Sequence, residues 1–274
     1  MPKVQLSKID TRSPKNISKE TAKKKLLLLQ IKLEELQNLM YAEGKHSLLV
    51  ILQGMDASGK DGVVKNVFDS VNPLGCKVYP FKRPTEIEMK HDFLWRVHSK
   101  TPAKGMIHIF NRSHYEDVLI QRVHNWIDDK EAQRRFRHIN AFEELLTQTG
   151  TTILKFYIHI SKEEQLQRLT ERLTDPTKNW KYNKQDLEER QYWDKYMVAY
   201  EHVFDQCNEI HWNIIPSDQN WYKELLITQV VVKALESLNM QYPRVEESLM
   251  LETLQGNKDK VEKKRKEKQL NSKS

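Results

Sequence analysis

Residues 48–61, LLVILQGMDASGKD, constrain the fold of this chain more than any other stretch. The aliphatic run Leu48, Leu49, Val50, Ile51 and Leu52 leads into Gly54-Met-Asp-Ala-Ser-Gly59-Lys60, and Val63, Val64, Val67 and Phe68 then recur at helical spacing. The pattern predicts a buried strand, a glycine-bounded loop and a helix. Glycines at both ends let the backbone curl so that successive N–H groups face phosphate oxygens, and the helix N-terminus adds positive partial charge. Lys60 adds a mobile ammonium. The reading is a phosphate-binding loop built on Gly54, Ala57, Ser58, Gly59, Lys60, Asp61 and Gly62.

Two acids mark this loop. Asp61 stands where a Ser or Thr normally ligates magnesium, and Asp56 lies inside the loop. Carboxylates beside a phosphate cradle repel the substrate unless a cation bridges them, so Asp56 and Asp61 are the candidate metal ligands. The bland alternative is a chance glycine–lysine spacing, with Asp61 only a first-turn carboxylate favoured by the helix dipole.

Net charge is +7, which suggests a nucleic-acid binder until it is divided along the chain. Residues 1–25 carry +6 and residues 257–274 carry +5, leaving −4 on residues 26–256. The basicity sits at the ends, so an anion track in the body must come from local clustering. The 274 residues suffice for one sizeable α/β domain. Two cysteines, Cys76 and Cys207, are too few and too far apart for a disulfide framework or a zinc site. No apolar run approaches a membrane span and no signal peptide is legible, so a cytoplasmic location without membrane partners is expected.

The organisation follows from periodicity. Residues 1–16 read as a flexible arm. A helix capped by Ser18 runs from about Ile17 to Gly44. Strands are predicted at 48–52, 76–81, 106–110, 151–160 and 210–215. Helices are predicted at 86–99, from about 111, at 129–149, from Ser161, at 186–204 and at 218–239. Residues 175–185 read as a mobile polar link, and 244–274 as a basic, disordered tail. Strands alternating with helices imply a parallel sheet covered on both faces, a three-layer α/β/α sandwich, over 17–243.

In such sheets ligands bind beyond the carboxyl ends of the strands. Lys82-Arg83 follows the second strand and suits an anion there, although a solvated pair before Pro84 is an alternative. Asn111-Arg112 ends the third. Asn111 offers an amide oxygen to a magnesium-bound water, and Arg112 a planar fork to phosphate. Arg122 and His124 extend the positive track, while Ser113 with Glu116 fits a capping box. Arg168, Arg172, Lys178, Lys181 and Arg190 flank a polar segment around 170–195 that reads as a lid, closing over the loop to exclude water; for Arg168 an exposed helix face is equally suitable. Trp193, Tyr196 and Tyr200 read as core. No Ser/His/Asp triad, HExxH or CxxC is present.

With these residues set out, the chain resembles the polyphosphate kinase 2 family, and most of all its class III members. The matching segments are Gly54-x-Asp56-x-x-Gly59-Lys60-Asp61-Gly62, FKRPT at 81–85, HDFLWR at 91–96, IFNRSHYEDVLIQRVH at 109–124, DPTKNWKYNKQDLEER at 175–190 and YWDKYMVAYE at 192–201. The resemblance implies a thymidylate-kinase-like fold with a helical lid. It implies reversible transfer of a terminal phosphoryl group between inorganic polyphosphate and a nucleoside diphosphate or monophosphate (ADP or AMP, with GDP or GMP as further acceptors). By the same resemblance Asp56, Lys60, Asn111 and Arg112 are the catalytic set, Mg²⁺ is the cofactor with Mn²⁺ as a substitute, and the protein is a homo-oligomer, dimer or tetramer. Asn111 stands where other classes carry an Asp. The rivals are an ATP-dependent nucleoside monophosphate kinase of the same fold and a nucleotide-gated nucleic-acid binder. Against the latter, the body is net acidic and carries no nucleic-acid motif.

Overall fold

The computed structural model describes residues 3–244, together with Gln255 and Lys258. The chain divides into two units, Met1–Met240 and Gln241–Ser274. In the second, residues 241–244 have no regular structure, and Gln255 and Lys258 are helical and exposed. The rest of the expected basic tail lies outside the described residues.

Five strands, β1 (Ser47–Gln53), β2 (Cys76–Pro80), β3 (Ile107–Asn111), β4 (Thr151–His159) and β5 (Trp212–Pro216), form one sheet in the order β2-β3-β1-β4-β5. Every neighbouring pair is parallel. Around it lie α1 (Lys19–Glu43), α2 (Lys60–Val67), α3 (Trp95–His98), α4 (Ile120–Val123), α5 (Asp129–Gln148), α6 (Lys162–Thr174), α7 (Lys184–Glu189), α8 (Trp193–Gln206) and α9 (Asn220–Glu236).

The strands have two buried faces, and successive side chains go to opposite ones. Leu49 and Ile51 join Phe110, Ile153 and Tyr157 in a core closed by Phe136, Ile139 and Phe142 of α5 and Tyr200, Val203 and Phe204 of α8. Leu48, Val50 and Leu52 join Ile107, Ile109, Phe156 and Ile158 in a second core, closed by Leu33, Leu36 and Met40 of α1, Val63 of α2 and Ile227, Val231 and Leu235 of α9. The result is the expected three-layer sandwich. Because β1 sits between β3 and β4, the chain leaves it towards opposite sides of the sheet, and this switch opens a crevice at the carboxyl ends of the strands.

Local chemistry sets the helix ends. Ser18 caps α1 by accepting from the Thr21 N–H, and Gly44 ends it in the left-handed region at φ 66°. Asp128 and Ser161 cap α5 and α6 in the same way.

Three expectations are corrected. The first 16 residues are not a free arm where they are described. Leu6 is buried and its N–H donates to Glu201 at 2.7 Å, Thr11 donates to Asp218 at 2.8 Å, and the Ser13 N–H donates to Gln219 at 2.8 Å. The helix expected over 86–99 is a 3₁₀ turn at Glu88–Lys90 and then α3, because the Asp92 carboxylate accepts from the Leu94 N–H and restarts the chain. The helix expected over 186–204 is split into α7, a 3₁₀ turn and α8, and the polar link before it also contains a 3₁₀ turn, Asn179–Lys181.

The first core contains a buried charged network. Lys155 Nζ donates to Glu143 at 2.7 Å, to the Tyr115 hydroxyl at 3.0 Å and to the Cys207 carbonyl at 2.9 Å, while the Tyr115 hydroxyl donates to Glu143 at 2.7 Å. Lys155 and Tyr115 are wholly buried. Removing the Lys155 charge leaves the buried Glu143 carboxylate with only Tyr115 and His114, so Lys155→Met should cost about 3 kcal/mol in urea unfolding, and adding Glu143→Leu should restore part of that loss. A Lys155→Met chain as stable as the parent would show that the pair contributes nothing.

Candidate active site

The carboxyl end of β1 turns at Gly54, whose φ of 152° excludes a side chain; a Cβ there would meet the Ile158 carbonyl at 2.8 Å. Gly59 caps α2 at φ 100°, and a Cβ on it would collide with Lys223 Nζ. Between them the backbone carbonyls are tied down. Lys60 Nζ donates to the Gly54 and Met55 carbonyls at 2.7 and 2.9 Å. Gln165 Nε2 donates to the Asp56 carbonyl at 2.9 Å. Arg168 donates to Ala57 and Ser58, and the Ser217 hydroxyl to Ser58. Gly59 accepts from the Val63 N–H. With these carbonyls engaged, the amide edge of the loop and the first turn of α2 is left to face an anion.

The loop forms one wall of a cleft of about 570 Å³. Lys60, Lys82, Arg112, Arg168, Arg172, Lys178, Lys181 and Lys223 line it, against Asp56, Asp61, Glu164, Glu171, Asp186 and Glu224. A body of net negative charge thus concentrates a cationic excess at the strand ends. A second cavity of about 470 Å³ adjoins it and shares Asp56, Phe81, Lys82, Arg112 and Asp186. It adds Arg83, Arg96 and the aromatic side chains of Trp126 and Tyr196.

Arg112 stands where the two cavities meet. Its φ of 63° is unusual for a residue with a side chain, as is the 59° of Ala57 in the loop. The guanidinium pairs with Asp56 and, at 3.4 Å, with Glu116. Its own pKa is raised, first by Glu116 and then by Asp56, against the opposing effect of burial. Burial pushes the Asp56 carboxyl up, but Arg112, Lys60 and Arg172 outweigh it and hold the group below its ordinary range. Lys60 shows the reverse: burial, then the Arg112 charge, lower its ammonium to about 8 despite Asp56, Glu116 and Asp61.

Asp61 is more open, accepting from Asn111 Nδ2 at 2.8 Å and lying 3.9 Å from Lys181 Nζ. Because Asn111 spends its amide nitrogen on Asp61, its amide oxygen stays available. Arg172 binds Asp186 at 2.5 Å and the Lys181 carbonyl at 3.3 Å, which fastens α6 to α7 beside the cleft. Lys178 is exposed and pairs with Glu171 and Asp175.

Other expectations are corrected. Arg122 does not extend the track: it turns away to Asp129 at 2.9 Å and His202 at 3.0 Å. His124 binds Glu189 at 3.0 Å and stacks on Trp126. The segment after Arg112 is a 3₁₀ turn (His114–Val118) followed by the single turn α4 rather than one helix, which rotates both side chains off the cleft. Arg190 also lies outside it, donating to the Lys162 carbonyl and to Gln165, the residue that holds the Asp56 carbonyl. Ser113 does cap its turn through the Tyr115 N–H, while Glu116 is committed to Arg112. Trp193, Tyr196 and Tyr200 are buried as expected.

Trp126, Gln165 and Lys223 escaped the sequence reading, and Lys223 lies nearest the loop. Lys223 of α9 is buried, donates to Asn220 at 2.8 Å and lies 3.4 Å from the Gly59 carbonyl, with burial and Arg168 lowering its ammonium to about 8. The signal for Lys223 was its place on the apolar stripe of α9, four and eight residues before Ile227 and Val231.

Other proteins resemble this chain over most of its length. A family profile described as Polyphosphate kinase 2 (PPK2) matches residues 16–243. The AMP/ADP-polyphosphate phosphotransferase of Meiothermus ruber is 51% identical over 230 residues, covering 83% of this chain and 86% of that protein. The ADP-polyphosphate phosphotransferase of Rhodopseudomonas palustris is 43% identical over 245 residues, covering 84% and 85%. The crystal structure of polyphosphate kinase 2 from Arthrobacter aurescens TC1 superposes with a TM-score of 0.87 at 41% identity, over 92% of this chain and 94% of that one.

Proposed function

The chain belongs to the polyphosphate kinase 2 family, and from that premise we propose that it transfers the terminal phosphoryl group of inorganic polyphosphate to a nucleoside diphosphate or monophosphate, and back. The observation that carries this reading is the pair of joined cavities with Arg112 at their junction. The cationic cleft beside the loop suits a polyanion with about one charge per phosphate. The adjoining cavity, with Trp126, Phe81 and Tyr196 near Lys82, Arg83 and Arg96, suits a nucleoside whose phosphates reach back to Arg112.

The chemistry follows from charge. The amide edge of the loop and Lys60 bind the donor phosphates, and Lys60 exchanges its loop carbonyls for phosphate oxygens as the chain enters. Arg112 reaches the group in transfer, where its fork draws off developing negative charge. Arg168 and Lys223 line the cleft beside the loop, hold its carbonyls and keep it cationic. Arg172, Lys178 and Lys181 belong to the segment that closes over the cleft and excludes water. An acceptor phosphate oxygen is already a competent nucleophile, so no covalent enzyme intermediate is needed. The anhydride broken and the one formed are alike, which makes the reaction reversible.

The donor set suits Mg²⁺, with Mn²⁺ as a substitute. Among the described residues no cluster of three His, Cys, Asp or Glu side chains forms a metal cage. Two carboxylates and one amide oxygen, Asp56, Asp61 and Asn111, line the same cleft, and magnesium is ordinarily held by one or two carboxylates plus phosphates and water. When bound it supplies charge neutralisation between donor and acceptor oxygens. No described helix is long and apolar enough to cross a membrane.

The test supplies the purified chain with Mg²⁺, long-chain polyphosphate and ADP, AMP, GDP or GMP separately, with no ATP. Formation of the next higher phosphate with ADP or AMP is expected. Turnover only with ATP and a monophosphate would make the protein a nucleoside monophosphate kinase instead.

A further inference from the structure

The segment before α1 is fastened at the carboxyl ends of β4 and β5. The ring of His159, the last residue of β4, donates through Nε2 to the Ile9 carbonyl at 3.2 Å. Just beyond β5, the Asp218 carboxylate accepts from the Thr11 hydroxyl at 2.8 Å, and the Asp218 N–H donates to the Thr11 carbonyl at 2.9 Å.

The same carboxylate reaches the phosphate loop by two routes. Its other oxygen accepts at 2.9 Å from the N–H of Ser161, the residue that caps α6. From α6, Gln165 donates to the Asp56 carbonyl, and Arg168 to the carbonyls of Ala57 and Ser58. The second route runs through Ser217, next to Asp218 in the chain and wholly buried. Its hydroxyl donates to the Ser58 carbonyl at 2.5 Å, and its carbonyl accepts from Arg168 at 2.6 Å. The carbonyls of Asp56, Ala57 and Ser58 are therefore all held by residues that Asp218 anchors.

Direction is what this anchoring supplies. The C=O and N–H of one peptide plane lie on opposite edges, so a carbonyl held outward aims its amide into the cleft. A freed plane can turn its oxygen towards the phosphate instead, where it repels.

We propose that Asp218 and Thr11 are positioning residues for the phosphate donor, an inference that rests on reading the loop cleft as the donor site. Neither residue lines either cavity. Arg168 of α6 and Lys223 of α9 line the donor cleft, whereas the acceptor cavity has no residue of α6 or α9 and takes only Asp56 from the loop. A loosened brace thus weakens the donor and spares the acceptor.

Steady-state kinetics of the full chain, with long-chain polyphosphate and ADP varied in turn, test this. Thr11→Val keeps the shape and removes the hydroxyl, and should raise KM for polyphosphate about 5-fold, the worth of one hydrogen bond. Asp218→Ala also frees Ser161, and should raise it on the order of 30-fold. Thr11→Ser keeps the hydroxyl and should match the parent. In every variant KM for ADP and kcat at saturating polyphosphate should stay within about 2-fold, as expected when binding is lost equally from ground and transition states. Should Asp218→Ala not fold, the two Thr11 variants decide.

A merely structural role would move both KM values together or neither, and either pattern overturns the proposal. So does a Thr11→Ser chain as impaired as Thr11→Val. A parent inactive with polyphosphate overturns the functional reading instead, and the brace is then judged with ATP as donor and AMP as acceptor. An unchanged KM for ATP in Thr11→Val and Asp218→Ala would dispose of the brace on its own.

Discussion

Replacing Lys60 with Met is expected to lower kcat for polyphosphate and ADP by roughly 10³-fold while leaving the fold at least as stable as before. The two outcomes share one cause. The ammonium is buried against loop carbonyls with its pKa lowered to about 8, so folding works against the charge rather than gaining from it. The group needs its charge only when a phosphate chain arrives. The pH dependence carries the same sign. Between about 8 and the ordinary lysine value of 10.5, the unfolded chain holds the proton more firmly than the folded one. Stability therefore rises with pH across that window, and Lys60→Met should flatten the rise.

A binding measurement separates phosphate recognition from mere structural presence. Burial, with the neighbouring guanidinium charge, lowers both the Lys60 and the Lys223 ammonium to about 8, so near that pH each holds its proton less firmly than an ordinary lysine. A polyanion raises both values, and binding must take up protons. Calorimetry of polyphosphate binding at pH 8 in two buffers of different ionisation enthalpy should show that uptake, reduced in Lys60→Met. No proton uptake by the parent chain would mean that neither ammonium faces the phosphates.

How far the sequence revealed this site depended on whether its parts are contiguous. The loop was legible because strand, glycines and lysine lie within fourteen consecutive residues, and the cap residues Ser18 and Gly44 fixed α1 by local hydrogen bonding alone. Arg112 was legible because a parallel strand delivers its carboxyl end to the crevice. Arg122 and His124 misled because their direction depended on the helical phase after Arg112, and a 3₁₀ turn has a different phase from an α-helix. Arg190 and Arg168 carry the charge expected of a lid, yet both brace the loop, Arg190 through Gln165 and Arg168 through the Ser58 carbonyl, a distinction of direction that composition does not encode. Glu116 has a similar double aspect. Its spacing from Ser113 fits a cap, but the left-handed backbone at Arg112 brings the guanidinium within its reach.

Asp56→Asn is expected to reduce turnover by a comparable factor, and its value lies in dividing two roles that one carboxylate combines. Asp56 fixes Arg112 at the junction of the cavities, and it is the more enclosed of the two acids proposed to hold Mg²⁺. Its lowered pKa keeps it ionised throughout neutral pH. Since that pKa lies below the ordinary 3.8, its contribution to stability is present above that value and lost as pH falls through the folded-state pKa. The variant should therefore be less stable than the parent at pH 7, and the difference should vanish in strong acid. If Asp56 holds the metal, Asp56→Asn must also raise the Mg²⁺ concentration for half-maximal rate, by about 10-fold or more, and Asp61→Asn should raise it less, because Asp61 is open to water. Lost turnover with unchanged Mg²⁺ dependence would reduce Asp56 to a residue that orients Arg112. Near-normal turnover would remove it from the chemistry, because Asn keeps its size and loses only the charge on which both roles depend.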